Sequence, residues 1–357
     1  MSSKKLGKLE FTEYEFFIIE TTGSVAAGLI VSGIILAILG YNPLRGLSLL
    51  LFGGIRNPDY LLSRATFIMM TGLAFAIPMY AGLFNINGEG EMYIGGLTAL
   101  LVAIYTGNGF LAILMGGFAG AVLGLIISVL RVYRGVNEVV TAIMLNMAIY
   151  YMIIYLITAK LYDPVAPHES LKVPASARFG LLKLGVFRIH IIFPLALIFI
   201  AFSYYILYFT KLGYEIRVSG LSPASAKYAG IDPNKAMINS MILGGFFAGV
   251  GGALNVIGFM YYMDSMLTSM HGMGFDGIGV ALMGRNNPIG IVLASIFFSM
   301  LILGSQRMQL LMRVPKELAD ALSGVIIIAF SLPYAYRMLI SYLRTRRMIK
   351  VGAEHHS

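Results

Sequence analysis

Eight stretches of this chain contain no Asp, Glu, Lys or Arg, and each is long enough to span, or nearly span, a lipid bilayer as a helix. A bilayer core is about 30 Å thick and requires about 20 apolar helical residues. Lipid is therefore the main solvent in which the chain folds, and the pattern predicts an all-α, polytopic membrane protein. The charge-free stretches are residues 21–40, 65–84, 92–130, 139–159, 191–210, 236–263, 286–306 and 321–336.

The remaining charged residues are confined to the connections between the apolar stretches. They make up 12% of the sequence, whereas an average soluble domain has about 25%. The mean hydropathy is +0.81. This composition leaves no room for a separate soluble domain, so residues 1–357 are predicted to form a single transmembrane domain.

Turn signals set the expected number of helices. Thr106-Gly107-Asn108-Gly109 divides the stretch 92–130 into two helices. Residues 46–55 are expected to form a short half-helix, and residues 274–304 a broken, re-entrant pair. About eight to ten transmembrane helices follow, and ten is preferred because two cytoplasmic ends require an even number of crossings.

Composition and charge placement exclude several classes of site. The chain has no cysteine, and its five histidines show no metal-ligand spacing. We therefore predict neither a metal site nor catalytic residues. The net charge of +9 does not indicate nucleic-acid binding, because the basic residues lie at the ends of apolar stretches and form no continuous stripe.

The same basic residues predict the topology, because Lys and Arg favour the cytoplasmic side. Both chain ends are basic, as are the turn that contains Arg131 and Arg134 and the connection that contains Lys211 and Arg217. The first apolar stretch is a full span that follows a polar segment, so no cleavable signal is expected. The predicted cytoplasmic segments are 1–15, 211–235 and 343–357, and the predicted external loop is 162–189.

Rows of small residues predict close helix packing. Gly116, Gly120 and Gly124 recur every four residues, as do Gly244, Ala248 and Gly252. Small residues at this spacing let helix backbones approach closely in lipid. Such rows indicate a compact bundle of several helices rather than a simple anchor.

Polar groups interrupt the apolar pattern at three places, where they are expected to face protein or a water-filled cavity. These places are residues 84–91, the helix start at Asn137-Glu138 with Asn146 further along, and residues 272–288. Broken helices beside a solute path have this character. The alternative is structural: Asn137 and Asn287 can be helix caps, and the Gly-rich acidic segments can be surface turns.

A short capped helix is predicted within the connection 211–235. Ser222 can cap it, Pro223 suits its first position and Gly230 suits the position after its end. A stiff helix of about two turns between two spans is suited to dock into a groove on another protein. A stable loop without a partner is the alternative.

Four segments spread over most of the chain carry a family resemblance. They are FNINGEGEM (84–92), NEVVTAIMLN (137–146), GYEIRVSGLSPASAKYAGI (213–231) and GFDGIGVALMGRNNPIGI (274–291). Together they resemble the permease subunits of ATP-binding-cassette (ABC) importers, in the simple-sugar and nucleoside branch related to ribose permeases. The chain departs from that pattern at Asn87, where Gly is usual, at Glu91, where Gln is usual, and at Ser222, where Asn is common.

The resemblance implies a transport subunit of a prokaryotic cell membrane, surrounded by lipid and not itself an enzyme. Because the chain lacks a G-x-x-x-x-G-K-[ST] loop, ATP and Mg²⁺ are expected to be used by a separate ATPase subunit and no cofactor by this chain. An extracellular solute-binding protein and a second permease subunit, in a heterodimer rather than a homodimer, complete the expected assembly. The solute is expected to be a nucleoside or a simple sugar.

The resemblance also implies roles for particular residues. The segment around the short helix is expected to contact the ATPase through Gly220, Ser222, Pro223, Ala226, Tyr228, Ala229 and Gly230. The substrate pathway is expected to include Phe84, Asn85, Glu89, Asn146, Phe275 and Asp276.

Two other functions compete with this one. An ion-coupled secondary transporter could use Glu89, Glu91, Glu138 and Asp276 as proton or sodium sites, and broken helices also occur in that class. An integral-membrane enzyme is the weaker alternative, because no His or Cys cluster and no nucleophile–base pair is recognisable in the sequence.

Overall fold

The computed structural model describes residues 13–184 and 187–331, and most of them are helical. The helices are α1 (Glu13–Ile38), α2 (Pro43–Phe52), α3 (Pro58–Tyr80), α4 (Gly88–Thr106), α5 (Gly109–Arg134), α6 (Glu138–Ala159), α7 (Ile192–Phe209), α8 (Lys211–Leu221), α9 (Pro223–Tyr228), α10 (Pro233–Asn255), α11 (Met273–Met283), α12 (Pro288–Met312) and α13 (Lys316–Ser331). Antiparallel pairs are formed by β1 (Tyr162–Asp163) with β2 (Ala166–Ser170), and by β3 (Leu181–Leu184) with β4 (Phe187–His190).

The fold class is confirmed. Among the described residues, six helices are long and apolar enough to cross a membrane, and two further apolar helices are shorter. The six are α3, α5, α6, α7, α10 with its continuation to Met260, and α12, and the shorter two are Val25–Ile38 within α1 and α11. The segment 343–357 and most of segment 1–15 lie outside the described residues.

The chain divides into two compact units, Met1–Gly53 with Leu301–Ser357, and Gly54–Met300. In the first unit, α1 packs on α13, where the Ser32 hydroxyl donates to the Leu322 carbonyl at 3.4 Å. In the second unit, α10 is the central helix and packs against α3, α4 and α5. The candidate site lies in this second unit.

The predicted rows of small residues form the contacts of α10. A Cβ atom added to Gly120 of α5 would collide with the carbonyl oxygen of Gly245, and one added to Gly252 would collide with the carbonyl oxygen of Met92 in α4. Gly244 faces the carbonyl oxygen of Ala74 in α3. The helix backbones therefore touch directly, which is the close approach that small residues permit in lipid.

Local sequence signals placed several breaks correctly. Gly107 ends α4 in a left-handed conformation, and the Asn108 side chain caps α5 by accepting from the Leu111 amide at 3.1 Å. The half-helix expected at 46–55 is α2. The pair expected at 274–304 is α11 and α12, separated by Arg285 and Asn286, which have φ of 54° and 57°.

Two connections have more structure than the sequence indicated. The expected loop 162–189 contains the two β-hairpins, and the connection 211–235 contains α8 in addition to the predicted short helix. We call the two ends of the second unit the hairpin end and the α8–α9 end. Gly107 packs against Ser176 at the hairpin end, and Gly220 packs against the Tyr80 carbonyl at the α8–α9 end.

The close approach of α5 and α10 makes the permitted side-chain size at Gly120 a direct test of this packing. Gly120→Ala is expected to lower the melting temperature in detergent. The added methyl would collide with backbone atoms, which cannot move aside as the end of a side chain can. Overpacking of this kind costs about 1–3 kcal/mol. Gly33→Ala in α1 is the control, since its methyl would meet only the end of the Leu47 side chain. Equal melting temperatures for the two variants would contradict this packing.

Candidate functional site

Two helices begin inside the bundle rather than at its ends. The first is α4, where the Gly90 amide donates to Oδ1 of Asn146 at 2.8 Å. Asn146 is eight residues into the 22-residue α6, which is about 12 Å along a helix about 33 Å long. The second is α11, where Gly274 packs against the backbone of Glu89. The N-termini of both helices therefore lie close together, near the middle depth of the bundle.

The carboxylate of Glu89 lies where these two N-termini meet. Its Oε1 atom accepts from the Tyr93 hydroxyl at 2.5 Å and from the Gly272 amide at 2.9 Å. Nδ1 of His271 is 3.6 Å from the same oxygen. The amide groups at a helix N-terminus favour negative charge, so one carboxylate stabilises both helix starts. The Glu89 side chain is only 5% exposed.

A second carboxylate, Glu91, is fully buried two residues further along α4. Nδ2 of Asn85 donates to both of its oxygens, at 3.3 and 3.2 Å, and to the Ala74 carbonyl at 3.0 Å. Oδ1 of Asn85 accepts from the Asn87 amide at 2.9 Å. Within the described part of the chain, Glu91 makes no ion pair. Its hydrogen bonds through Asn85 join α4 to the end of α3.

Asn146 holds the start of α4 from the opposite side. Besides accepting from Gly90, its Nδ2 atom donates to the carbonyl of Ile86 at 3.2 Å. One amide side chain on α6 therefore satisfies a backbone donor and a backbone acceptor of the interrupted segment, which lipid could not do. The predicted pathway residues Asn85, Glu89 and Asn146 are thus brought together around one helix start.

The other predicted pathway residues lie beside this centre. Asp276 of α11 forms an ion pair with Arg64 of α3 at 3.4 Å, and the Thr71 hydroxyl donates to the Met273 carbonyl at 2.8 Å. These contacts attach α11 to α3. Phe275 is exposed, and the ring of Phe84 meets the ring of Phe75 edge-on at 4.8 Å.

Asn137 and Asn287 have the capping role that was the structural alternative. Oδ1 of Asn137 accepts from the amides of Val139 and Val140 at 2.9 and 3.3 Å, and Oδ1 of Asn287 accepts from the Ile289 amide at 2.9 Å. Glu138 pairs with Arg131 at 3.1 Å. Glu138 therefore lies at the start of α6, away from the acids of the bundle interior.

The predicted short helix is α9, with the expected caps. The Ser222 hydroxyl accepts from the Ser225 amide at 3.3 Å, Pro223 is the first helical residue, and Gly230 has φ of 76°. Ala226 is buried against the bundle, whereas Tyr228 is 96% exposed. The helix therefore has one anchored side and one free side.

A polar junction joins α8 to three other helices, and the sequence analysis did not predict it. The Tyr208 hydroxyl at the end of α7 is 3.1 Å from the Tyr80 hydroxyl of α3 and accepts from Nδ2 of Asn287 at 3.3 Å. The guanidinium carbon of Arg217 in α8 lies 5.1 Å from the centre of the Tyr208 ring. We call Tyr80, Tyr208, Arg217 and Asn287 the tyrosine junction.

Comparison with known proteins identifies the family. A family model described as "Branched-chain amino acid transport system / permease component" matches residues 57–331, which covers α3 to α13. The chain belongs to this permease family. The permease is therefore a transport subunit and not an enzyme.

Several relatives that match most of the chain are ABC transporter permeases. The guanosine ABC transporter permease protein NupP of Bacillus subtilis (strain 168) is 30% identical over 333 residues, which cover 90% of this chain and 95% of NupP. The nucleoside ABC transporter permease protein NupB of Lactococcus lactis subsp. cremoris is 30% identical over 344 residues, 89% of this chain and 91% of NupB. The glucose ABC transporter permease protein TsgB13 of Haloferax volcanii is 28% identical over 328 residues, 85% of this chain and 84% of TsgB13. No solved structure gives a significant match.

Several residues at the centre of the permease were missed by the sequence analysis. Tyr93 and His271 contact Glu89, and Arg64 pairs with Asp276. His271 follows a connection without regular spacing, so no local signal pointed to it. Arg64 carried one signal, because it is a lone charge directly before an apolar stretch. The solute-path role of the six predicted residues stays a prediction.

Two substitutions of Glu91 distinguish a hydrogen-bonding role of this side chain from a role that depends on its charge. Glu91→Gln is expected to leave transport unchanged and the melting temperature equal or higher, because an amide oxygen still accepts from Asn85 and the cost of burying an ionisable group is removed. Glu91→Leu is expected to cost about 1–3 kcal/mol, since it takes the carboxylate acceptor from a buried donor. Melting in detergent and uptake into liposomes measure both effects. A tenfold loss of uptake in a well-folded Glu91→Gln variant would instead indicate that the charge is used, as in ion coupling.

Proposed function

We propose that this permease imports a nucleoside, or alternatively a simple sugar, which an external binding protein delivers and a separate ATPase drives. The names of the relatives, which include guanosine, nucleoside and glucose transporters, support this range of solutes. The observation that carries the coupling to an ATPase is α9, a capped helix with a buried side and an exposed side at one end of the bundle.

The geometry of α9 suits it to transmit force. Its N-cap and the left-handed Gly230 fix both ends, so the helix moves as a stiff body. The exposed Tyr228 and Leu221 provide apolar contact area for a groove on the ATPase. Gly220, at the end of α8, lies directly against the Tyr80 carbonyl, which links the segment to α3 without an intervening side chain.

The tyrosine junction extends this connection towards the centre of the permease. Arg217 contacts Tyr208, and Tyr208 accepts from Asn287, which caps α12 directly after α11. The N-terminus of α11 reaches Glu89. Movement of α9, on closure of two ATPase subunits around ATP and Mg²⁺, would shift α11 and change the side from which the centre is accessible.

Basic residues favour the α8–α9 end as the cytoplasmic end. The basic residues at this end lie in α9 or in the first or last turn of α5, α8 and α10, and they are Arg131, Arg134, Lys211, Lys227 and Lys235. We also propose, from the basic residues near both ends of the sequence, that both termini are cytoplasmic and that the protein is a multi-pass component of a prokaryotic cell membrane. The binding protein would dock at the hairpin end. A pocket of about 440 Å³ there is lined by residues 106–110 and 176–179.

Polar groups at middle depth support a second permease subunit. His271 has 69% of its side chain exposed although it contacts Glu89 near the middle of the bundle. Ionisable groups at this depth face protein or water rather than lipid. We propose that a second permease subunit, in a heterodimer, covers the neighbouring face of α6, where Met147, Tyr151 and Tyr155 are exposed.

Family membership favours ATP-driven import over ion coupling. Two of the four acids in the ion-coupled reading have cationic partners, because Asp276 pairs with Arg64 and Glu138 pairs with Arg131. Liposomes distinguish the two mechanisms. Uptake that requires the ATPase and the binding protein supports the proposal, and uptake that follows an ion gradient without an ATPase contradicts it.

A charge placed on the exposed side of α9 tests the coupling. Tyr228→Asp is expected to lower ATP-dependent uptake by about tenfold or more, because aromatic anchors at interfaces contribute about 1.4 kcal/mol or more. Its amount in the membrane and its melting temperature should stay normal, since Tyr228 contacts solvent. Tyr133→Asp is the control, because Tyr133 is an exposed tyrosine near the C-terminal end of α5, which lies at the same end of the second unit as α9. Normal uptake by Tyr228→Asp would remove α9 from the mechanism.

One hydroxyl tests the tyrosine junction. Tyr208→Phe removes the group that joins Tyr80 to Asn287 but keeps the ring under Arg217. Uptake per ATP hydrolysed is expected to fall about fivefold, the factor that corresponds to one hydrogen bond of about 1 kcal/mol. Tyr204→Phe is the matched control, because the Tyr204 ring lies 4.7 Å from the same ring. Uptake and ATP hydrolysis are measured together in liposomes, and identical ratios for the two variants would contradict the connection.

A further inference from the structure

Tyr93 and His271 contact the Glu89 carboxylate, and the ring of Tyr150 lies beside both of them. The rings of Tyr93 and Tyr150 have centres 6.0 Å apart, and those of Tyr150 and His271 are 6.3 Å apart. The Tyr93 hydroxyl is 3.4 Å from Nδ1 of His271. We call Glu89, Tyr93, Tyr150 and His271 the aromatic–acid cluster. It joins α4, α6 and the segment before α11.

The cluster combines a buried acceptor with exposed rings. Oε1 of Glu89 accepts from Tyr93 and Gly272, whereas Oε2 is buried and has no hydrogen-bond donor among the described residues. A buried acceptor without a donor is costly. His271 is largely exposed and Tyr150 is half-buried, so the cluster can be reached from one side.

The rings of the cluster are tilted relative to one another, and those of His271 and Tyr150 are accessible. Tyr150 is inclined by 43° to Tyr93 and by 54° to His271, so neither pair is stacked face to face. Aromatic side chains can bind any of the nucleobases by stacking on the face of the base. The Glu89 carboxylate beside them has hydrogen-bond acceptors but no donor, so its ligand must supply donors such as hydroxyl or ring N–H groups. A solute that has both a flat aromatic part and several donors matches this combination.

We propose that the aromatic–acid cluster is a solute-binding subsite that selects nucleosides over free sugars. The nucleobase stacks on Tyr150 and His271, and a hydroxyl or N–H group of the same molecule donates to Oε2 of Glu89. The inference rests on the proposed function, because it names the solute class within it. Tyr150, His271 and Tyr93 are specificity-determining residues in this account.

The test uses the whole transporter in liposomes, with the ATPase, the second permease subunit and saturated binding protein. The probes are tritiated guanosine, uridine and D-ribose. Tyr150→Leu is expected to lower the maximal rate of guanosine and uridine uptake about tenfold, because base stacking contributes a factor of that order. Tyr150→Phe keeps the ring and should transport normally. Tyr133→Leu, at an exposed tyrosine near the C-terminal end of α5, is the matched control.

A second measurement does not depend on turnover. Photolabelling of the assembled transporter with 8-azidoguanosine is expected to modify residues of the cluster, and excess guanosine should prevent the labelling whereas excess ribose should not. Label that maps elsewhere in the permease would overturn the subsite. Glu89→Gln and His271→Leu should each reduce labelling, with unchanged amounts of transporter in the membrane.

The outcomes separate this inference from the proposed function. If the unmodified transporter takes up nucleosides and Tyr150→Leu behaves like Tyr150→Phe, the subsite is wrong and the proposed function stands. Uptake of ribose but not of nucleosides would also overturn the subsite alone. If the complete transporter takes up none of the three probes or any other simple sugar, the proposed function itself fails.

Discussion

The N-termini of α4 and α11 meet near the middle of the bundle, and the Glu89 carboxylate lies between them. Each helix start presents backbone amides that lipid cannot satisfy. Glu89 accepts from one of them directly, and Asn146 accepts from another at Gly90. Polar backbone at this depth is therefore stable only because two side chains from α4 and α6 complete it. The same arrangement keeps a polar centre inside an otherwise apolar protein.

The packing of α10 makes this centre possible. Glycines on α5 and α10 bring the two backbones into contact, and Gly252 does the same for α10 and α4. A Cβ atom added to Gly245 of α10 would come within 3.3 Å of Oε1 of Glu91. With direct contact, Glu91 is fully buried and its hydrogen bonds come from Asn85. The small residues of α10 thus let Glu91 be buried directly against that helix, whereas His271, beside Glu89, is exposed.

The permease also connects this centre to one end of the molecule. From α9 the connection follows Gly220 to the end of α3, and Arg217 to Tyr208 and Asn287. Asn287 caps α12 and directly follows Arg285 and Asn286, the two residues in left-handed conformation that separate α11 from α12. In the proposed transport cycle α11 is the element that moves, because its N-terminal part is held by hydrogen bonds and an ion pair rather than by a continuous helix.

The sequence by itself determined the fold class, the bounds of α6 and α7 to within one residue, and the breaks at Gly107, at 84–88 and at 284–287. Lipid forces the backbone to form its hydrogen bonds within each span, and capping residues act on their sequence neighbours. Both effects therefore depend only on residues that are close together in the sequence. Only the tertiary structure decided which side chains surround Glu89. Gly272 bonds to it across 183 residues, and Tyr150 and Arg217 look like ordinary aromatic and basic residues in the sequence. No local pattern encodes such contacts, because they depend on the angles at which whole helices pack.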